Sequence, residues 1–561
     1  MVRTRASALM TWGLALGAGL GGCGGGSGEV FATSVAVATE GETGDSETAG
    51  DDAEGSSSST SSTMETGDGD GDGDGTKFDM APVADYEEPT PPELCMVVDD
   101  MNAIGDCDES APPDAFEPDV QWSWWGPNGE TESFVPALVA NLTDDNDDGV
   151  IDLCDTPDVV VVAATFGGES HIYVLDGATG QLHFKIAPFV AFTITPAIGD
   201  IDNDGLPEII TGNGAGFQGP ARFMAFEHDG THKWTSAHSH DHPQGGSVAL
   251  ADLDNDGDVE IMFDTVVLDH NGDVVFEAPA QLGLQPLSTA VTAADLDGDG
   301  DLEVVLGQSA YHHDGSTVYF EIMVTPGFPQ IANLDEDPEP EILVTNNRGV
   351  TLLEHDGTIV YLNVKPEGIW TGLRPAAVHD FDGDGLAEFA VSSASVYSVF
   401  EPAPSLVWSA IIDDASGSSG GTAFDFDGDG RAEAMYADEQ QLFIFDDQGT
   451  PLLTVPRSAR TLTEYPTVAD VDNDGSAEII VVSDGGFEMM QTAPTVQVIR
   501  DVQDRWIQAR RIWNQHTYHV TNVREDGTIP QWEPPSWAGL NTFRTNAQIE
   551  AGEICKPEPQ G

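Results

Sequence analysis

An acidic nine-residue pattern, Asp-x-Asp-x-Asp-Gly-x-x-Glu, recurs eight times along this chain. Its copies start at Asp144, Asp200, Asp252, Asp295, Asn333, Asp380, Asp425 and Asp470, so successive starts lie 38 to 56 residues apart. Carboxylates at positions 1, 3 and 5 of a tight turn converge on one point. That arrangement suits calcium, which takes six to eight oxygen ligands at about 2.3–2.6 Å. Glycine at position 6 permits the positive φ that reverses the chain, and a carbonyl at position 7 and the acid at position 9 close the shell. Without a cation the same acids would repel one another. The chemistry is structural calcium binding.

Six copies keep all the key positions. Their expected ligands are Asp200, Asp202, Asp204 and Glu208; Asp252, Asp254, Asp256 and Glu260; Asp295, Asp297, Asp299 and Glu303; Asp380, Asp382, Asp384 and Glu388; Asp425, Asp427, Asp429 and Glu433; and Asp470, Asp472, Asp474 and Glu478. The first copy offers Asp144, Asn146, Asp148 and Asp152 and should still bind. The fifth, Asn333 to Glu341, has Asn at position 1 and Pro338 at position 6. Proline fixes φ near −65°, so this loop should be distorted and its site weak or empty. Up to seven or eight ions are expected. An EF-hand is rejected, because the closing acid stands at position 9 rather than 12 and β-like runs flank the loop.

The elements that must hold these loops follow from the residues around them. In the second copy, apolar Thr193 to Ile198 precedes the acidic loop, and Glu208-Ile209-Ile210-Thr211-Gly212 follows it. Phe223-Met224-Ala225-Phe226, a Glu227-His228-Asp229-Gly230 turn and Thr231-His232-Lys233-Trp234 come next. That is four short strands, the last two joined by an Asp-Gly hairpin. Four-stranded units repeated at this period predict an all-β fold, a β-propeller of eight blades. Seven is the alternative, if the irregular first copy lies outside the ring. The blades resemble the FG-GAP/VCBS repeat family, the calcium-loop propellers of integrin α-subunits and many bacterial surface proteins. The resemblance covers roughly 400 residues and implies fold and calcium, not one activity.

With 98 acidic and 19 basic side chains the formal charge is −79, which argues against nucleic acid as a partner. Residues 1–22 read as a lipoprotein signal, with Arg3 and Arg5 ahead of a short apolar stretch ending Leu20-Gly21-Gly22-Cys23. This resembles a lipobox, making Cys23 the lipidated residue and placing the protein in a bacterial envelope, at the outer membrane or cell surface. Membrane contact is then through the lipid anchor alone. Residues 23–92 are a disordered Gly/Ser/Asp-rich tether that would span roughly 45 Å. The remaining expected divisions are a Cys-containing lead-in over 93–120, the propeller over 121–525 and a C-terminal cap over 526–561. Cys95, Cys107, Cys154 and Cys555 allow three disulfide pairings. Pairing Cys95 with Cys107 and Cys154 with Cys555 would tie the first repeat to the tail.

Other residues carry competing chemistry. His238-Ser239-His240-Asp241-His242 sets three imidazoles on one face if extended, as a transition-metal site requires, against a plain surface loop. Asp176-Gly177-Ala178-Thr179-Gly180 echoes the Trp-docking motif of quinone-dependent dehydrogenase propellers, against a hairpin turn. Trp122, Trp124 and Trp125 read as an edge strand at ring closure rather than a binding platform. Six of the 14 arginines fall between Arg500 and Arg544 and are expected to pair with acidic loops and cap the ring. No phosphate loop, serine elbow or His-Glu-x-x-His motif is evident, so no catalytic residue is expected. The sequence therefore predicts a surface binding or adhesion module for an extracellular protein or polysaccharide. The alternative is an extracytoplasmic enzyme, polysaccharide-acting or quinone-dependent, with its site at the propeller axis.

Overall fold

The computed structural model describes residues 107 and 109–556, apart from 167, 215–218, 243–244, 283–289, 336, 366–374, 487–492 and 551. The signal, tether, Cys23 and Cys95 lie outside the described residues. Eight four-stranded antiparallel sheets form the blades of a propeller. In blade 2, Ala197–Gly199, Glu208–Gly212, Phe223–Phe226 and His232–Thr235 pair in chain order. The acidic loop joins the first strand to the second, and the Asp-Gly turn joins the third to the fourth. The second strand is buried along its whole length, whereas the fourth faces solvent. Continuous apolar runs therefore take the inner places and polar or alternating segments the outer ones. First strands of neighbouring blades pack against one another and line the centre of the ring.

The irregular first copy belongs to the ring. It joins Leu138–Ala140 to Asp158–Ala164 in blade 1, which continues through Ser170–Asp176 and Leu182–Lys185. Eight is the blade count, and the seven-blade alternative falls. Blade 8 is built from both ends of the chain. Thr467–Ala469, Glu478–Val482 and Val496–Asp501 are completed by the outer strand Pro118–Trp124, with Trp124 opposite Val496. Trp122 and Trp124 thus lie in the closing strand, and Trp125 follows it, half exposed.

Successive blades are keyed together by an aromatic ring laid on a glycine. The φ of Gly272 is +82°, and a Cβ there would lie 2.7 Å from the Trp234 ring of the preceding blade. Phe184 on Gly230, Phe276 on Gly315, Tyr319 on Gly357 and Trp408 on Gly449 repeat the arrangement. Trp122 on Gly180 repeats it at ring closure, where its indole N–H donates to the Gly177 carbonyl. The segment Asp176–Gly180 is therefore a hairpin turn that does receive a tryptophan, from the neighbouring blade.

Both expected cysteine pairings are corrected. Cys107 bonds to Cys555, with Cα atoms 5.5 Å apart, so Cys107 is not the partner of Cys95 and Cys154 is not the partner of Cys555. The lead-in runs beside the C-terminal hairpin: the Glu109 amide donates to Glu550 and the Gln548 side chain donates to the Glu109 carbonyl. Cys154 is also disulfide-bonded.

Candidate metal centres

Each of the six complete acidic loops folds around its first aspartate. In blade 2, Asp200 accepts from the Asp204 amide at 3.2 Å and the Gly205 amide at 2.9 Å, and Asp204 accepts from Leu206. Glu208 opens the second strand and accepts from the Ile201 amide at 3.0 Å. Oxygens of Asp200, Asp202 and Glu208 lie within 4.8 Å of one another. The position-6 amide reaches the first aspartate in the same way at Asp252, Asp295, Asp380, Asp425 and Asp470. The closing glutamates Glu260, Glu303, Glu388, Glu433 and Glu478 likewise accept from position 2. Backbone amides thus hold both oxygens of each first aspartate but only one oxygen of each closing glutamate, leaving its other oxygen for the loop interior.

The electrostatics suit a cation. Burial, then the neighbouring aspartates, pushes Glu260 up to about 8 and Asp425 to about 7. Burial raises Glu388 to about 9 and Glu208 to about 8, in the latter against the pull of Lys233. Glu388 Oε1, Glu478 Oε1, Asp427 Oδ1 and Asp472 Oδ1 are buried oxygens without a hydrogen-bond partner. Buried lone pairs of this kind are stabilised by a ligand, and an all-oxygen donor set of this charge fits calcium.

The loops are not equivalent. In blade 2 the Lys233 ammonium lies 2.6 Å from Asp202, 2.9 Å from Glu208 and 3.2 Å from Glu227. In blade 4 the His312 ring stands 2.9 Å from Glu303. In blade 5 the Asn333 side chain donates to the Asp337 carbonyl at 2.6 Å, so an amide proton enters where other loops present a carboxylate. In blade 1 the strand register places Asp158, not Asp152, opposite Ala140, as Glu208 stands opposite Gly199. Asp158 accepts from the Leu142 amide at 2.9 Å. The pattern from Asp144 is an insertion between these points, and Asp155 gathers it by accepting from the amides of Asp145, Asn146 and Asp152.

Position 4 escaped the sequence reading. Asn203, Asn255 and Asn473 sit there with φ of 57–58°, and their side chains donate across to the next loop, at Gly257, Gly300 and Leu153. The available signal was that position 4 is Asn or Gly in all six complete copies.

The arginine-rich stretch occupies the centre of the ring instead of capping it. Trp513 exchanges both backbone hydrogen bonds with Val139 of blade 1. The Ile198 amide donates to Asn514, the Leu250 amide to Gln515, and Thr517 donates to Val291, reaching blades 2, 3 and 4. His516 stacks on Phe328 of blade 5 at 5.5 Å. Phe543 pairs with Val378 of blade 6, Thr422 of blade 7 donates to Arg544, and Asn546 donates to Val468 of blade 8. All eight first strands, or the residue beside them, are engaged. Arg510 and Arg544 are fully buried and donate chiefly to carbonyls, among them Val520, Val523, His516 and Ala376. Arg511 pairs with Glu525 at 3.0 Å. Arg510, Arg511 and Arg544 therefore brace the axial segment, Arg511 also donating to Asn473 of the blade 8 loop, whereas Arg500 pairs with Asp504 and Arg505 with Asp501 outside that segment.

A cleft of about 440 Å³ opens where this segment passes the loops of blades 5 and 6. Asn333, Asp335, Leu386, Pro402, Trp537 and Lys556 line it.

Residues 200–263 match the FG-GAP-like repeat model. The match spans the acidic loop of blade 2 through the second strand of blade 3, so the FG-GAP-like unit carries two of the loops described above. The V. cholerae biofilm matrix protein Bap1 is similar in structure, at TM-score 0.68 and 21% identity, over 78% of this chain and 99% of that one. A Bacillus licheniformis rhamnogalacturonan lyase gives TM-score 0.43 at 16% identity over 82% of each chain. A europium-containing methanol dehydrogenase gives 0.48 at 10% identity over 73% of this chain and 98% of that one. No curated protein matches the chain.

Proposed function

We propose that this chain is an exported, lipid-anchored propeller that binds calcium in its acidic loops and serves as a binding or adhesion module at the bacterial surface. One observation carries the reading: the ring centre is filled by residues 513–546 of the chain itself. An axial catalytic site would have to share space with Trp513, His516 and Arg544, each at most 1% exposed. Recognition therefore belongs to the loop faces. The cleft between blades 5 and 6 is the favoured contact, since about 300–1,000 Å³ with an aromatic wall and a few polar groups is usual for a ligand site. Leu386 at its rim is 60% exposed. The calcium ions would rigidify these loops without themselves being the ligand. A biofilm matrix role for the similar V. cholerae protein accords with this reading.

The test is a screen of the calcium-loaded chain against envelope polysaccharides and surface proteins. Parent protein should bind at least one of them. Trp537→Ala should lose that binding at least tenfold in a chain that still melts cooperatively. Turnover of a polysaccharide, abolished by a substitution at the axis in a folded chain, would overturn the proposal.

A further inference from the structure

The histidine run after blade 2 lies away from the acidic loops. His240–His242 pairs antiparallel with Gly219–Ala221. His240 thereby faces Asp264, in the turn between the second and third strands of blade 3, and Glu277, at the end of that blade's fourth strand. Glu260 begins the second strand at the acidic-loop end and Phe263 finishes it, so Asp264 stands on the opposite face of the ring. One nitrogen each from His238 and His240 and an oxygen of Glu277 lie within 4.8 Å of one another.

The details are those of a built ligand set. His240 Nε2 is 3.1 Å from Asp264 Oδ2, and its Nδ1 is 3.6 Å from Glu277. Gln281 donates to the other Asp264 oxygen at 3.4 Å, and the Phe263 ring packs edge-on against His240 at 6.0 Å. Buried His238 Nε2 has no hydrogen-bond partner. Glu277 is half exposed, which leaves an entry path.

We propose that His238, His240 and Glu277 bind one transition-metal ion of the zinc class, bridging blades 2 and 3. Two imidazoles and a carboxylate are a borderline donor set that suits zinc and disfavours calcium or magnesium. Asp264 is a positioning residue: by holding Nε2 it fixes the ring and leaves Nδ1 for the metal, as carboxylates behind ligating histidines commonly do. Water would complete the shell.

The experiment uses the tag-free full chain in excess calcium, so that the oxygen sites stay filled, and titrates zinc by calorimetry and equilibrium dialysis. The parent should retain one zinc that His238→Ala and His240→Ala both lose. Asp264→Asn should weaken zinc about 10–100-fold with the calcium stoichiometry unchanged. Cobalt in place of zinc should give the strong visible absorption of a four-coordinate, nitrogen-containing site. Melting curves in calcium that match the parent's would show each variant folded; should an alanine variant unfold, His238→Gln takes its place. Equal zinc retention by parent and histidine variants, or only the weak absorption of octahedral cobalt, would overturn the assignment.

Discussion

At the scale of single residues, the proposed calcium binding would be coupled to protons on the acidic loops. Glu208, Glu260 and Glu388 are held at about 8, 8 and 9, above the ordinary 4.5. A carboxyl raised in the folded state binds more protons there than in the unfolded chain between those values, so stability falls as pH rises through the window. Metal-stripped protein should therefore melt at a higher temperature at pH 5.5 than at pH 8.5, while calcium should raise the melting temperature most at pH 8.5. A flat pH profile in stripped protein would refute the coupling. Lys233 gives a sharper test, because its ammonium already neutralises Asp202 and Glu208. Lys233→Met should lower the melting temperature of stripped protein and strengthen calcium binding in blade 2 about tenfold, equivalent to about 1.4 kcal/mol. The calcium-induced shift, measured in both proteins, should widen in the variant.

At the scale of elements, the aromatic-on-glycine keys make each outer strand part of the next blade's packing. Trp122 is 8% exposed on the Gly180 turn, and Trp122→Ala should destabilise the ring by about 3–5 kcal/mol. Chemical denaturation read against the parent checks it. The loops, the hairpins and the count of eight were legible because acids and Asp-Gly turns punctuate the chain at fixed intervals. The closing strand was legible only in outline, through its tryptophans. The structural role of the arginine-rich stretch was legible in outline, but its place at the axis was not. Arg510, Asn514, Gln515 and Asn546 have the composition of a surface, yet they are buried because their partners are backbone groups, which carry no sequence pattern. In blade 1 the pattern was found but its register was not, since an insertion moved the matching acid from Asp152 to Asp158.

At the scale of the whole molecule, stability is shared between a ring and the segment through its middle. A chain ending at residue 505 would strip polar partners from the first strands of every blade. It should fail to give a cooperative melting transition even with calcium present. Removing the Cys107–Cys555 bond by Cys107→Ser together with Cys555→Ser should be milder, at about 2–5 kcal/mol, because the hydrogen bonds of the segment remain. Calorimetry on the truncated, doubly substituted and intact chains distinguishes the two effects. A truncated chain that melts like the intact one would refute the central role of the segment.

The axial segment also fixes a temporal order. A ribosome makes the eight blades before it makes the residues that join their inner edges, and the strand that seals blade 8 is made before any of them. The first-made and last-made parts of the fold must therefore meet for either to be finished. A prematurely terminated product would thus lack the partners of its inner strand edges.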